Sequence, residues 1–316
     1  MLYKILLLPA RLFLHFYCKK IVVNDKSMLR MEGPLIIAAN HPNSFLDAII
    51  MATLFNNPVH SLARGDAFAG KNITKILTTL NMLPVYRISE GVENLEHNYS
   101  TFQACQTLFK KGKIVLIFSE GRCINEWHLR PLKKGTARLA LSAWQHNIPL
   151  SILPLGINYS SFRKFGKTLH LNFGNIITKE DIRADLSSGA AVIEFNKRLQ
   201  QQLQNLVFEI DKNDHEKLQK YFHFHQSFLK KLLLFLPAML GYVFHFPLYY
   251  TIHVIIKNKA VDHYDSIMTG LLFFMYPLYV LILTMLTFFI TGNLISFLLL
   301  LLFPATALCL LHFKRT

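Results

Sequence analysis

The chain has 316 residues, 52% of them hydrophobic, and a formal net charge of +15. This is more apolar sequence than a soluble globular domain needs, and the length allows one or two domains. The basic residues are scattered and form no aromatic-basic RNA motif, so the charge favours an anionic membrane surface or an acidic carrier protein over nucleic acid.

The four cysteines form no CxxC pair and have no histidine partners at zinc spacing. The sequence therefore predicts neither a metal site nor a disulfide framework. Unpaired cysteines of this kind are typical of a reducing compartment.

Residues 2–17 are predicted to form a short helix. Lys4 before an apolar run resembles the start of a signal peptide, but Arg11 and His15 interrupt the run and no small-x-small cleavage site follows. The apolar side of the helix consists of Ile5, Leu8, Leu12 and Phe16. We expect a helix that lies on the membrane surface and forms the first domain, residues 1–19.

Residues 20–173 alternate short apolar runs with stretches of helical periodicity. Strands are predicted at 20–23, 35–39, 59–63, 113–118, 150–157 and 168–173, and helices at 44–55, 71–80, 96–111 and 135–146. This alternation favours an α/β fold with a mixed, mostly parallel sheet flanked by helices. The amphipathic stretch 180–222 is predicted to pack on the sheet as an outer helix, which completes a domain at 20–225.

A histidine and a carboxylate lie where the second predicted strand meets the first helix of this domain. His41 is on the turn, and Asp47 follows in the helix. A neutral imidazole can accept a proton, and a nearby carboxylate can fix its tautomer. The structural alternative is a helix cap, because Ser44-x-x-Asp47 is also a capping-box pattern.

Further polar groups follow other strands. Arg87, in Leu83-Pro-Val-Tyr-Arg87, presents the donors with which arginine binds phosphate or carboxylate, although alone it is more typical of a solvated surface residue. The apolar run 114–118 leads into Ser119-Glu-Gly-Arg122, for which the alternative is a surface ion pair. Lys133 and Lys134 precede a predicted helix, whose N-terminus favours anions.

Four blocks of the chain occur in the order and rough spacing of four known motifs. They are Asn40-His41 with Asp47, Leu83-Pro-Val-Tyr-Arg87, Phe118-Ser-Glu-Gly-Arg122 and Ile152-Leu-Pro-Leu. Over roughly residues 20–175 the chain thereby resembles the glycerolipid acyltransferase family, typified by 1-acyl-glycerol-3-phosphate acyltransferase. Two features depart from the family pattern: five residues instead of four separate the histidine from the aspartate, and the third block has Ser119 in place of proline and lacks a small residue before Arg122.

The resemblance implies a membrane-bound O-acyltransferase of phospholipid biosynthesis. It would transfer a fatty acyl group from acyl-CoA or acyl-carrier protein to a hydroxyl of a glycerophosphate or lysophospholipid, with no cofactor beyond that co-substrate. His41 would be the general base and Asp47 its orienting partner. The implied substrate-binding residues are Arg87, Glu120, Gly121, Arg122, Lys133 and Lys134, with the two arginines on phosphate and Glu120 holding the arginines or the acceptor's glycerol.

Two other function classes stay open. One is a transacylase, a hydrolase or an acyltransferase for a lyso-lipid without phosphate. The other is a non-catalytic lipid-binding membrane protein, which the presence of His41, Asp47 and Glu120 together disfavours.

The last part of the chain is of a different kind. Residues 226–316 hold six of the 34 basic and two of the 19 acidic residues, which leaves 28 basic and 17 acidic residues in 1–225. Apolar runs at Leu232–Ile256, Gly270–Ile290 and Leu294–His312 contain no Lys, Arg, Asp or Glu, and each matches the roughly 20 residues that cross a bilayer as a helix. We therefore predict a membrane-embedded helical tail at 226–316.

Charge placement predicts the topology of this tail. Pairs of basic residues flank the three runs, whereas the link 291–293 is uncharged. By the positive-inside rule the last two runs form a hairpin with cytosolic ends. The first run, which contains Pro237 and Pro247, is expected to enter and return on the same side. The prediction is a multi-pass cell-membrane protein with its catalytic domain on the cytoplasmic face.

Overall fold

The computed structural model describes residues 2–86, 97–183, 187–222, 227–258 and 261–314. The chain divides into two compact units. Unit 1 consists of residues 1–11, 22–158 and 170–214, and unit 2 consists of residues 12–21, 159–169 and 215–316. Residues 12–21 and 159–169 are therefore grouped with the tail, while the predicted functional boundaries at 19 and 225 stay predictions.

The elements up to residue 222 follow the predicted alternation. The helices are α1 (Leu2–Tyr17), α2 (Phe45–Leu54), α3 (Lys71–Thr79), α4 (His97–Lys110), α5 (Gly135–Gln145), α6 (Ser188–Leu206) and α7 (His215–Phe222). The strands are β1 (Cys18–Val23), β2 (Leu35–Ala39), β3 (Val59–Arg64), β4 (Met82–Val85), β5 (Ile114–Phe118), β6 (Ser151–Tyr159) and β7 (Lys167–Phe173). The predicted outer helix at 180–222 is two helices, α6 and α7.

Strand β4 lies in the strand-like segment before Arg87 but is not one of the six predicted strands, because it is short and contains Pro84. It pairs with β3 at one end of the seven-stranded sheet, whose order is β1-β7-β6-β2-β5-β3-β4. A proline, which has no N–H to donate, is tolerated at such an edge.

The sheet is mixed and mostly parallel, as predicted. Strand β2 lies between β5 and β6 and is parallel to both, with Ala39 opposite Phe118 and Leu155. All five residues of β2 are buried, as expected of a central strand covered on both faces. The register brings the carboxyl ends of the central strands to one edge, from which the loops after β2 and β5 leave.

Unit 2 contains three long apolar helices, α8 (Phe228–Ile256), α9 (Tyr264–Thr291) and α10 (Leu299–Phe313). With the short turn that precedes α10, all three are long and apolar enough to cross a membrane. We expected the first apolar run to turn back, and the structure corrects this: α8 is one continuous helix of 29 residues. Pro237 and Pro247 each remove one backbone donor, and the packing of α10 along α8 holds the helix through both positions.

A buried ion pair lies in unit 2. The ammonium group of Lys167 pairs with the carboxylate of Asp265, and neither side chain is more than 1% exposed. The Tyr17 hydroxyl donates to Asp265 Oδ2 at 2.5 Å and accepts from Lys167 Nζ at 3.1 Å. Burial, reinforced by the Asp265 carboxylate, holds the pKa of Tyr17 well above its usual value. The cluster thus joins the end of α1, the start of β7 and the first turn of α9.

Candidate active site

The predicted histidine–aspartate pair is present at the carboxyl edge of the sheet. His41 Nδ1 lies 2.9 Å from Asp47 Oδ2, and the two side chains are 15% and 0% exposed. Because an ionised carboxylate can only accept, the Nδ1–H donates to Asp47 and leaves Nε2 able to accept a proton. The arrangement can therefore act as a general base.

The capping-box alternative is not what the structure shows at this turn. Ser44 is the N-cap residue of α2 but makes no side-chain capping bond. Oδ2 of Asp47 instead accepts from the His41 ring and, at 2.8 Å, from the backbone N–H of Asn43. Ser44 itself has a φ of +53°, which is strained for a residue with a side chain. The turn accommodates the fifth residue between His41 and Asp47.

Glu120 holds the backbone of His41 directly and also pairs with Arg130, an arginine that the sequence motifs did not single out. Its Oε2 accepts from the backbone N–H of His41 at 3.2 Å and from the guanidinium of Arg130 at 2.9 Å. Its Oε1 accepts from the backbone N–H of Arg130 at 3.1 Å. Arg130 also contacts Glu126 and donates to the carbonyl of Arg122. The resemblance implied that Glu120 holds the phosphate-binding arginines or the acceptor's glycerol. It does hold an arginine, but that arginine is Arg130.

Other bonds connect the loops after β2 and β5. The backbone N–H of Ser44 donates to Cys123 Sγ at 2.9 Å, and that of Ile124 donates to the His41 carbonyl at 3.3 Å. Asn125 Nδ2 donates to the Pro42 carbonyl at 2.7 Å. Residues 40–44 and 119–130 therefore form one connected structure around His41.

The imidazole is also fixed by an aromatic ring. His41 stacks on Phe118 with ring centroids 3.8 Å apart and planes 7° from parallel. Phe118 is opposite Ala39 in the register of β2 and β5, only two residues from His41. Phe118 belongs to one of the four blocks, where the sequence indicates only an apolar strand residue. The sequence alone does not show that its ring stacks on His41.

The predicted anion-binding residues lie beside this structure to different degrees. Arg122, Lys133 and Lys134 are exposed, and the backbone N–H of Lys133 donates to the Ser119 carbonyl at 2.8 Å. Gly121 has a φ of +74°, and a Cβ there would lie 2.9 Å from Cγ of Lys133, so glycine lets the lysine stem approach. Arg87 lies outside the described residues.

Comparison with known proteins assigns a family to the part of the chain that carries this geometry. Residues 20–158 match the family model described as Acyltransferase. They are an acyltransferase-family domain. All four blocks of the sequence analysis lie inside the matched residues, so the predicted resemblance is confirmed at the level of the family.

A solved structure is also similar to this chain. It is the crystal structure of the 1-acyl-sn-glycerophosphate (LPA) acyltransferase from Thermotoga maritima, with 13% identity, a TM-score of 0.44 and coverage of 63% of this chain and 75% of that chain. The search of curated proteins gives no match.

Proposed function

We propose that the chain transfers an acyl group from a thioester, acyl-CoA or acyl-carrier protein, to a hydroxyl of a lysophospholipid or glycerophosphate acceptor. The observation that carries the proposal is the His41–Asp47 pair, 2.9 Å apart at the carboxyl edge of an acyltransferase-family domain. An imidazole held by a carboxylate suits the deprotonation of an alcohol.

The reaction follows from the tautomer of His41. Nε2 takes the proton of the acceptor hydroxyl as its oxygen attacks the thioester carbonyl, and Asp47 stabilises the imidazolium that forms. Collapse of the tetrahedral intermediate breaks the C–S bond, and the imidazolium returns the proton to the leaving thiolate. The products are an ester and a free thiol, and no acyl-enzyme is required.

The acceptor phosphate is proposed to bind the exposed cations of the loop after β5. Arg122 offers a planar fork of donors, and Lys133 and Lys134 add charge where the chain enters α5. Arg130 is a different kind of cation, because Glu120 and Glu126 already neutralise it. Arg87 stays a phosphate-binding candidate on the strength of the resemblance alone.

A membrane location supports a lipid acceptor. Three helices of unit 2 have the length and composition of membrane spans, and Ile5, Leu8 and Leu12 of α1 are more than half exposed. We propose that the domain faces the cytoplasm, where acyl-CoA and acyl-carrier protein are found.

Replacement of the base tests the mechanism. His41→Ala should lower kcat by roughly 10²–10⁴-fold, the usual contribution of a general base, without unfolding the domain. His146→Ala is the matched control, since His146 is exposed at the opposite end of α5 and should leave kcat unchanged. A His41→Ala enzyme within a few-fold of wild type would exclude the mechanism.

The same assay separates the function classes. Labelled acyl-CoA and acyl-carrier protein are offered with lysophosphatidic acid, glycerol 3-phosphate or monoacylglycerol. We expect label in an ester that forms only with acceptor, and faster with the phosphorylated acceptors. Release of free fatty acid independent of acceptor would identify a hydrolase, and equal rates with monoacylglycerol would remove the phosphate from the proposal.

A further inference from the structure

Basic residues converge at one end of the helical tail. Lys230 and Lys231 lie in the first turn of α8, and Lys314 caps the end of α10. In the sequence Lys314 is more than 80 positions away from the other two.

The packing of α8 against α10 explains why they meet. The rings of Phe235 and Phe313 are 6.0 Å apart, and those of Phe244 and Phe303 are 5.2 Å apart, so positions advance along α8 as they decrease along α10. Between them a Cβ at Gly241 would overlap the Thr306 carbonyl, so the helices are in close contact there. This antiparallel register places the start of α8 beside the end of α10.

Two more lysines of unit 2 come from other segments to the same place. Lys19 Nζ donates to the Lys314 carbonyl at 3.1 Å. Burial, and then the charges of Lys230 and Lys231, lower the pKa of Lys19, while burial and then the charge of Lys164 lower the pKa of Lys314. The cations are therefore close enough to repel one another.

We propose that this lysine cluster, Lys19, Lys164, Lys230, Lys231 and Lys314, binds the phosphate of an anionic phospholipid headgroup. The repulsion between lysines from four segments raises the electrostatic free energy of the protein, and a bound anion offsets it. Lysine is a good point-charge ligand for phosphate. The site is independent of the acyl-transfer chemistry.

The surroundings of the cluster favour a lipid over a free anion. The cluster lies where two apolar helices end, and such basic sites at helix ends are suited to acidic headgroups. On both sides of Lys230 and Lys231 in the sequence, α8 exposes large apolar side chains along which acyl chains can lie. They are Leu229, Leu232, Leu233 and Leu236, each 62–71% exposed.

Lipid binding to the full-length protein in detergent tests the site. Phosphatidylglycerol and phosphatidylcholine are titrated separately and counted on the intact protein by native mass spectrometry, with inorganic phosphate as competitor. We expect phosphatidylglycerol to bind about tenfold more tightly than phosphatidylcholine, because the choline cation is repelled. The triple variant Lys230→Gln/Lys231→Gln/Lys314→Gln should remove this preference, since three losses of about fivefold each together exceed the tenfold preference.

A charge-matched variant controls for net charge. Lys179→Gln/Lys212→Gln/Lys257→Gln removes three exposed lysines from other places and should keep the preference for phosphatidylglycerol. If the first triple variant does not fold, Lys231→Gln and Lys314→Gln alone should each weaken phosphatidylglycerol about fivefold. Equal binding of the two lipids by wild type, or equal losses in both triple variants, would overturn the proposal. Inorganic phosphate that binds as tightly as phosphatidylglycerol would overturn its assignment to lipid.

Discussion

Arg130 should be necessary for the stability of the acyltransferase domain, although it is not proposed to touch substrate. Its side chain is 15% exposed and that of Glu120 is 3% exposed. Arg130→Met keeps the apolar stem and removes the charge. The variant leaves a buried carboxylate that still accepts from the His41 backbone at 3.2 Å but has lost the guanidinium at 2.9 Å.

The size of the effect follows from this burial. Removal of one partner from a buried pair costs about 3–5 kcal/mol, and the slight exposure of Arg130 selects the lower end, about 3 kcal/mol. For a unit of this size, each kcal/mol shifts Tm by about 3 °C, so we expect a decrease of about 9 °C. Because Glu120 positions the His41 backbone, kcat well below Tm should also fall, by about 10–100-fold.

Two variants isolate the cause. Arg183→Met breaks an ion pair in which Arg183 is 69% exposed, and it should cost at most about 1 kcal/mol. Glu120→Gln/Arg130→Met removes the buried charge while an amide oxygen can still accept from His41, so it should recover at least half of the lost Tm.

Thermal unfolding followed by tryptophan fluorescence measures all three. Trp127 and Trp144 both lie in unit 1, so the signal reports on that unit. The reasoning would be refuted if the Arg130→Met variant had a Tm within about 2 °C of wild type, or if the double variant were no more stable than the single one.

Three further changes have defined outcomes. Asp47→Asn should lower kcat by roughly 10²–10⁴-fold with Tm nearly unchanged, because an amide cannot stabilise the imidazolium; full activity would leave Asp47 a purely structural role. Arg122→Gln should raise the KM of a phosphorylated acceptor, while equal effects on monoacylglycerol would contradict phosphate binding. Asp265→Asn strands the buried Lys167 and should cost about 3–5 kcal/mol, measured as protease resistance in detergent, and Lys167→Met in the same chain should restore much of it.

Local pattern was sufficient for most elements of the acyltransferase domain. Periodicity of apolar residues places strands such as β2 and β5 and the helices between them, because burial on a sheet and on a helix repeats at different spacings. The same pattern placed His41 at a strand end, and the parallel order of the strands implied that several such ends share one edge. The distance of six residues put Asp47 within reach of His41.

Contacts between distant segments needed the tertiary structure. Arg130 reaches Glu120 only because the loop after β5 folds back on itself. Whether Asp47 formed a capping box or bonded to the His41 ring depended on where that ring pointed. In the tail, the sequence by itself determined three apolar segments of membrane-spanning length, whereas packing decided that α8 continues through Pro237 and Pro247. Composition and periodicity are properties of neighbours in the chain. Charge pairs such as Lys167 with Asp265 are decided by the packing of segments far apart in sequence, which no local pattern encodes.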